Sequence, residues 1–439
     1  MLGVLLALPG IARDFTYEHE GQTLTYTVLD EEAKTCKTKD GSQDYWNFYC
    51  GNSVENYLII PEIAKDGDVE YSVVELGDYA FAGCSSLVSV TIPGSVISIG
   101  QYAFAGCSSL ASMTIGNSVK EIGDYAFAKC SSLTSATIPD SVISIGKYVF
   151  SNCNRLQSVT IGNSINAISE YAFQNCSSLT SVTFGNSVKS IDMYAFGFCK
   201  ALKSIIIPDT VTTIGMYAFQ NCSNLTSVTI GNSVNVIGSC AFNNCSGLTS
   251  LTFTNSVNVI GKEAFMGCKS LTSLTIPDSV TKIGESAFKD CSGLTSVTIG
   301  NSTNDVDNPV NVIGKEAFSG CSRLTSVTIG NSVKEIGESA FTGCSNLTSL
   351  SLGNSVKEIG GSAFSECNGL TSLTIGNSIH KIGYGAFYRC KGLTSVTFGN
   401  SVKEIGDRAF EGCYALESIV TTNMIPPTIS ADSFEGEYE

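Results

Sequence analysis

Cysteine is the residue type whose spacing in this chain most invites chemistry. Cys84, Cys107, Cys130, Cys153, Cys176, Cys199, Cys222, Cys245, Cys268 and Cys291 follow one another every 23 residues. After one step of 30 the same spacing resumes through Cys321, Cys344, Cys367, Cys390 and Cys413. Such a series can serve as disulfides, as metal ligands or as packing. Metal sites gather cysteines in tight clusters, usually with histidine, and the only histidines are His19 and His380. Disulfides between successive copies fall within reach, but a stacked column points its side chains the same way rather than at one another. Free cysteine is among the most buried residue types and packs as a small apolar group, so the ladder is expected to be core. The other constellations of catalysis are missing as well. No nucleophile elbow, phosphate-cradling glycine loop or paired carboxylates in an evident cleft can be read. No catalytic residue, metal or cofactor is assigned, and the chain is read as a non-enzyme.

The elements that hold these cysteines repeat with them. In the copy from Cys321 to Gly343 the apolar positions are Cys321, Leu324, Val327, Ile329, Val333, Ile336, Ala340 and Phe341. "LTSVTIG" alternates around Val327 and Ile329 and is rich in β-branched residues, which predicts a strand with one buried face. Gly330 and Asn331 suit a turn, and "SVKEIG" predicts a second short extended segment. "ESAFTGC" shows no alternation and is read as one helical turn that drops Phe341 into the core. A fixed period in the twenties marks a solenoid. Fifteen cysteine-headed coils stacked as parallel strands would span roughly 70 Å at the usual strand spacing. The fold class expected is therefore an α/β repeat of 23-residue coils over 56–434, with a small β cap over 13–55 and a tail at 435–439.

"CSRLTSVTIGNSVKEIGESAF" closely resembles the BspA-like class of leucine-rich repeats, and the likeness runs through about residues 56 to 434. The resemblance implies a leucine-rich-repeat solenoid displayed outside the cell. It also implies, for some members, adhesion to host matrix proteins or other cells. It carries no catalytic motif.

Composition limits the partners. The formal charge is −15 with a pI near 4.6 and no basic cluster along the chain, which speaks against nucleic acid and against an anionic membrane surface. The apolar run from Leu2 to Leu8 is too short to span a bilayer. Residues 1–12 read as part of a secretory signal, with a buried strand as the alternative, and no later segment reads as transmembrane.

Around Gly21, "FTYEHEGQTLTYTVL" predicts a β-hairpin that covers the first coil, with His19 as a solvated turn residue. Cys36 and Cys50 fall outside the ladder, and in an exported protein they could bridge or stay free. Tyr45, Trp46, Phe48 and Tyr49 suit either a cap core or an exposed stacking site. Cys240 is expected to be a partly exposed thiol.

Two surfaces could bind. Two residues before the core Phe stand Tyr79, Tyr102, Tyr125, Tyr148, Tyr171, Tyr194 and Tyr217. These are either half-buried edge residues spread by duplication or a binding strip, since Tyr joins a large apolar body to a polar tip. The insertion 303–309 offers Asn304, Asp305, Asp307 and Asn308, oxygens of the kind calcium takes but in no complete calcium-loop pattern. It is read as a solvated loop and a contact point. The function expected is a secreted or cell-surface protein, monomeric, that binds an extracellular protein or glycoprotein of the host matrix or a neighbouring cell. The alternative is a spacer that holds another domain away from the cell.

Overall fold

The computed structural model describes residues 13–41, 56–300, 311–421, 426–430 and 432–434. The chain divides into two compact units, Met1–Val188 and Lys189–Glu439.

In the first unit, β1 (Asp14–His19) and β2 (Gln22–Asp30) form the expected antiparallel hairpin, in the register Phe15↔Tyr26 and Tyr17↔Leu24. Its two turn residues, Glu20 and Gly21, both have positive φ, as the tight hairpin turn that matches strand twist requires. β3 (Thr35–Thr38) pairs antiparallel with β2 and parallel with the long strand Val69–Leu76. That strand ends opposite Ser98–Ile99, the first of the two-residue strands, so the cap continues directly into the repeat ladder. Tyr57–Ile59 pairs with Ser89–Thr91 and opens the column of main strands.

Later rungs repeat at 23 residues, apart from one step of 30 and the last, from Ile405 to Ile429. Ser135–Thr137, Ser158–Thr160 and Ser181–Thr183 pair in parallel with like residue opposite like. In the second unit Ser273–Ile276, Ser296–Ile299 and Ser326–Ile329 do the same, and the 30-residue step is absorbed between Ile299 and Ser326. The short second strands of this unit run as one ladder from Ser190–Ile191 to Thr428–Ile429. All eight apolar positions of the copy at Cys321 are buried to 2% exposure or less. One coil has too little surface to bury that set alone, and the facing copy supplies the rest. Phe341 and Phe364, for example, stack with ring centroids 5.2 Å apart. The glycine that follows most second strands (Ser169 and Asp192 replace it in two coils) allows the approach: a Cβ on Gly337 would lie 2.6 Å from the Ile313 carbonyl oxygen.

The expected helical turn is not formed; the third side of each coil is a run of tight turns. In the coil Gly100–Cys107, the N–H groups of Ala103, Ala105 and Cys107 donate three residues back within the coil. Those of Tyr102, Phe104 and Gly106 donate to Asp124, Ala126 and Ala128 of the next coil at 2.7–2.8 Å. Tyr102 and Gly106 hold left-handed φ values of 56° and 76°. Two left-handed residues in so short a stretch break any helix, and every second amide is spent on the neighbouring coil.

Candidate functional site

The cysteine ladder is core, and it is also a hydrogen-bonding column. Cys107 donates its Sγ–H to the Phe81 carbonyl at 3.1 Å, Cys153 to Phe127 at 3.2 Å and Cys390 to Phe364 at 3.2 Å. Each of these carbonyls also accepts the amide of the cysteine in its own coil, so the thiol satisfies a second lone pair inside an apolar wall. That is a reason for cysteine where alanine would pack. Burial pushes the Cys153 and Cys291 thiols up to about 12, which leaves almost no nucleophilic thiolate near neutrality.

Cys84, the first of the series, is disulfide-bonded, and the other described cysteines are free. Cys36 is therefore not bridged to Cys50. It sits on β3 opposite Val28 and Val73, fully buried, with its thiol raised to about 12 by that burial. Cys50 itself lies outside the described residues, as do the aromatics Tyr45, Trp46, Phe48 and Tyr49. Cys240 is not a surface thiol: it is 5% exposed, with its Sγ 3.6 Å from a Glu263 carboxylate oxygen.

The tyrosines are brought together. In the first unit Tyr79, Tyr102, Tyr125, Tyr148 and Tyr171 form one stack, with centroid separations of 4.7, 4.5, 4.5 and 4.3 Å. Their planes lie within 6° of parallel. In the second unit Tyr194 and Tyr217 stack at 4.6 Å. All seven are half-buried and all seven have φ between 55° and 59°. A bulky side chain in the left-handed region costs on the order of 1 kcal/mol, whereas an aromatic pair returns about 0.5–1.5 kcal/mol. An interior ring such as Tyr125, stacked on both faces, offsets its strain.

That packing decides what the stripe can offer. Ring faces are covered by neighbouring rings, and the Tyr148 hydroxyl is hydrogen-bonded to those of Tyr125 and Tyr171, so the stack offers a partner mainly its outer ring edges. Burial, with Tyr102 and Tyr148 alongside, pushes the Tyr125 phenol up to about 12. One flank of the stack is a polar ladder: Asp78 accepts from the Gln101 side chain at 3.0 Å, and Lys147 pairs with Glu170 at 2.9 Å.

Threonines that stand just before main strands are spent within the array. Thr226, Thr249, Thr295 and Thr394 each donate the side-chain hydroxyl to a carbonyl of the preceding coil, at 2.8–3.0 Å. The contact loop Asn304, Asp305, Asp307 and Asn308 lies outside the described residues. Stacking also collects side chains that the linear chain scatters: Lys334, Lys357, His380 and Lys403 occupy one position in four successive coils. Their signal was the shared place in the period, which a scan for basic runs passes over.

Comparison with known proteins bears on the whole array. The model of the BspA type leucine rich repeat region, six copies, matches residues 74–203, 189–310 and 311–438. A leucine-rich repeat protein of known structure from Bacteroides ovatus is 30% identical, with 90% of this chain and 92% of that chain covered and a TM-score of 0.69. A leucine rich cell surface protein from Faecalibacterium prausnitzii is 26% identical, with 93% and 95% covered and a TM-score of 0.45. No curated protein matches.

Proposed function

The chain belongs to the BspA-type leucine-rich repeat family, and we propose that it is an exported recognition protein. Its partner in this reading is a protein or glycoprotein of the host matrix or of a neighbouring cell. The chain acts as a monomer and performs no catalysis. The tyrosine stack of the first unit carries the reading. Five bulky side chains hold a backbone conformation that disfavours them, half-exposed and aligned on one edge. An outlier of this kind points from structure toward function, and aligned phenol edges give a partner apolar contact and hydroxyls together. The Cys84 disulfide supports an oxidising, extracellular location. Free thiols such as Cys153 and Cys291 are compatible with it because burial keeps them protonated. No helix among the described residues is long and apolar enough to cross a membrane.

The spacer reading has its own observation in its favour, the column of threonines ahead of the main strands, such as Thr226, Thr249 and Thr295, whose hydroxyls are spent within the array. One experiment separates the two. The purified chain is offered to a panel of matrix glycoproteins and host-cell surfaces beside a variant with Tyr102, Tyr125, Tyr148 and Tyr171 changed to Ser, folding being checked by circular dichroism. Saturable binding that the folded variant loses supports recognition through the stack. Equal binding by both removes the stack from the account, and no binding by either moves the reading to the spacer.

A further inference from the structure

Sequence reading finds no basic run, because the relevant bases stand 23 residues apart. The second unit places them side by side. The Lys357 amide donates to the Lys334 carbonyl at 2.8 Å, His380 to Lys357 at 2.8 Å and Lys403 to His380 at 2.9 Å. All four side chains are exposed. His380 is turned by its Nδ1, which lies 3.2 Å from the Ser401 carbonyl oxygen. No carboxylate lies within ion-pair distance of Lys334, Lys357 or Lys403 among the described residues. Lys262 and Lys315 of the same unit, by contrast, are each paired across coils, at 3.0 and 2.9 Å.

Like charges facing each other on adjacent strands oppose folding, so an unpaired cation column in a protein of charge −15 is an arrangement the fold itself does not call for. The next column holds Glu335, Glu358, Lys381 and Glu404, of which Lys381 and Glu404 close to 3.5 Å. We propose that this column binds a linear anionic polysaccharide, one bearing sulfate or carboxylate groups along its length, laid across the coils. The reason is spacing. Lys334 and Lys357 stand one coil apart, about 4.8 Å, and Lys403 stands two coils beyond Lys357, a pitch on the scale of one or two sugar residues in an extended chain. Duplex DNA carries a charge about every 1.7 Å along its axis and is held by broad basic surfaces, so three ammonium groups in an acidic protein would neutralise little of it.

The test uses the full chain and immobilised heparin, with hyaluronate as a carboxylate-only polymer, dextran as a neutral one and duplex DNA as the competing polyanion. A K334S/K357S/K403S variant is compared with K200S/K203S/K269S, which removes the same charge from scattered exposed positions. The expected result is salt-sensitive binding to heparin that the scattered variant keeps. The column variant should lose between about tenfold and a hundredfold, for three cations facing an anionic surface. Hyaluronate binding as strong as heparin binding would assign carboxylate rather than sulfate as the group recognised. No binding to either polymer, equal loss in both variants, equal retention on dextran, or tighter binding to DNA than to heparin would each overturn the proposal.

Discussion

The first unit and the second use the same backbone for different side chains. The position two before the core Phe is tyrosine from Tyr79 to Tyr171. In the second unit, after Tyr194 and Tyr217, it becomes Cys240, Glu263, Ser286, Glu316, Ser339, Ser362, Gly385 and Arg408. Its φ is 54–58° throughout the later series, against 56–59° in the first unit. The coil therefore requires a left-handed residue there and is indifferent to which one. Serine or glycine fills the place at less strain, so the five tyrosines owe their presence to what their side chains do together. The core beneath shows the opposite: Phe, Cys and Leu hold their columns in both units at 0–1% exposure in nearly every coil. Conserved geometry with changing chemistry marks the surface, and unchanged chemistry marks the packing.

The comparison can be broken most forcefully in the core. Phe127→Ala in the first unit and Phe341→Ala in the second each remove a fully buried ring stacked on both sides. Each should cost about 3–5 kcal/mol, measured by urea unfolding. A cost in one unit less than half that in the other would show that the two cores are not equivalent. A smaller and opposite pair of effects is expected at the left-handed position. Ser339→Gly should stabilise by about 0.5 kcal/mol, since glycine carries no left-handed penalty but has a more mobile unfolded chain. Tyr125→Gly gains the same relief yet loses two stacked neighbours, and should destabilise by about 1 kcal/mol. If Tyr125→Gly is instead stabilising, the stack contributes nothing to the fold and its binding role is the stronger for it.

The slightest effect is in alkali. The Tyr125 phenol is raised to about 12, by burial first and then by its tyrosine neighbours. Its folded value exceeds the ordinary one near 10, so its contribution is whole below about pH 10 and is lost as pH rises toward 12. Phenolate absorbance should show a late-ionising class, to which the buried Tyr26 and the stacked Tyr148 also belong, that shrinks in the Tyr125→Ser protein; an unchanged titration curve would count against a buried stack. Buried thiols such as Cys153 and Cys291 titrate late in both units and do not blur this reading, because they leave the phenolate band alone.

Much of this was open to sequence reading, and the reasons for the rest are physical. Periodicity names the buried set, because a residue such as Val327 or Ile336 must face the same wall in every coil. It also locates the hairpin around Gly21, where turn chemistry and alternation agree. It failed on "ESAFTGC", because the left-handed conformation falls on residues such as Tyr102 and Ser339 that rarely announce it, and because half the amides there are claimed by another coil. Cys240 resembled a polar replacement on the surface, but the preceding tyrosine and Glu263 cover it. Cys36 belonged to a strand whose inward face becomes visible only once β2 and the strand at Val69 flank it. Lys334, Lys357, His380 and Lys403 were each unremarkable until the stack made neighbours of them.

Each coil is joined to the next through amides, a thiol and a ring, yet it holds 23 residues of chain in the thickness of one strand. Pulled straight at about 3.4 Å per residue, a single released coil yields close to 80 Å of thread in place of the roughly 5 Å it occupied. Under tension, the array can therefore lengthen one coil at a time, each release slackening the load on those still wound.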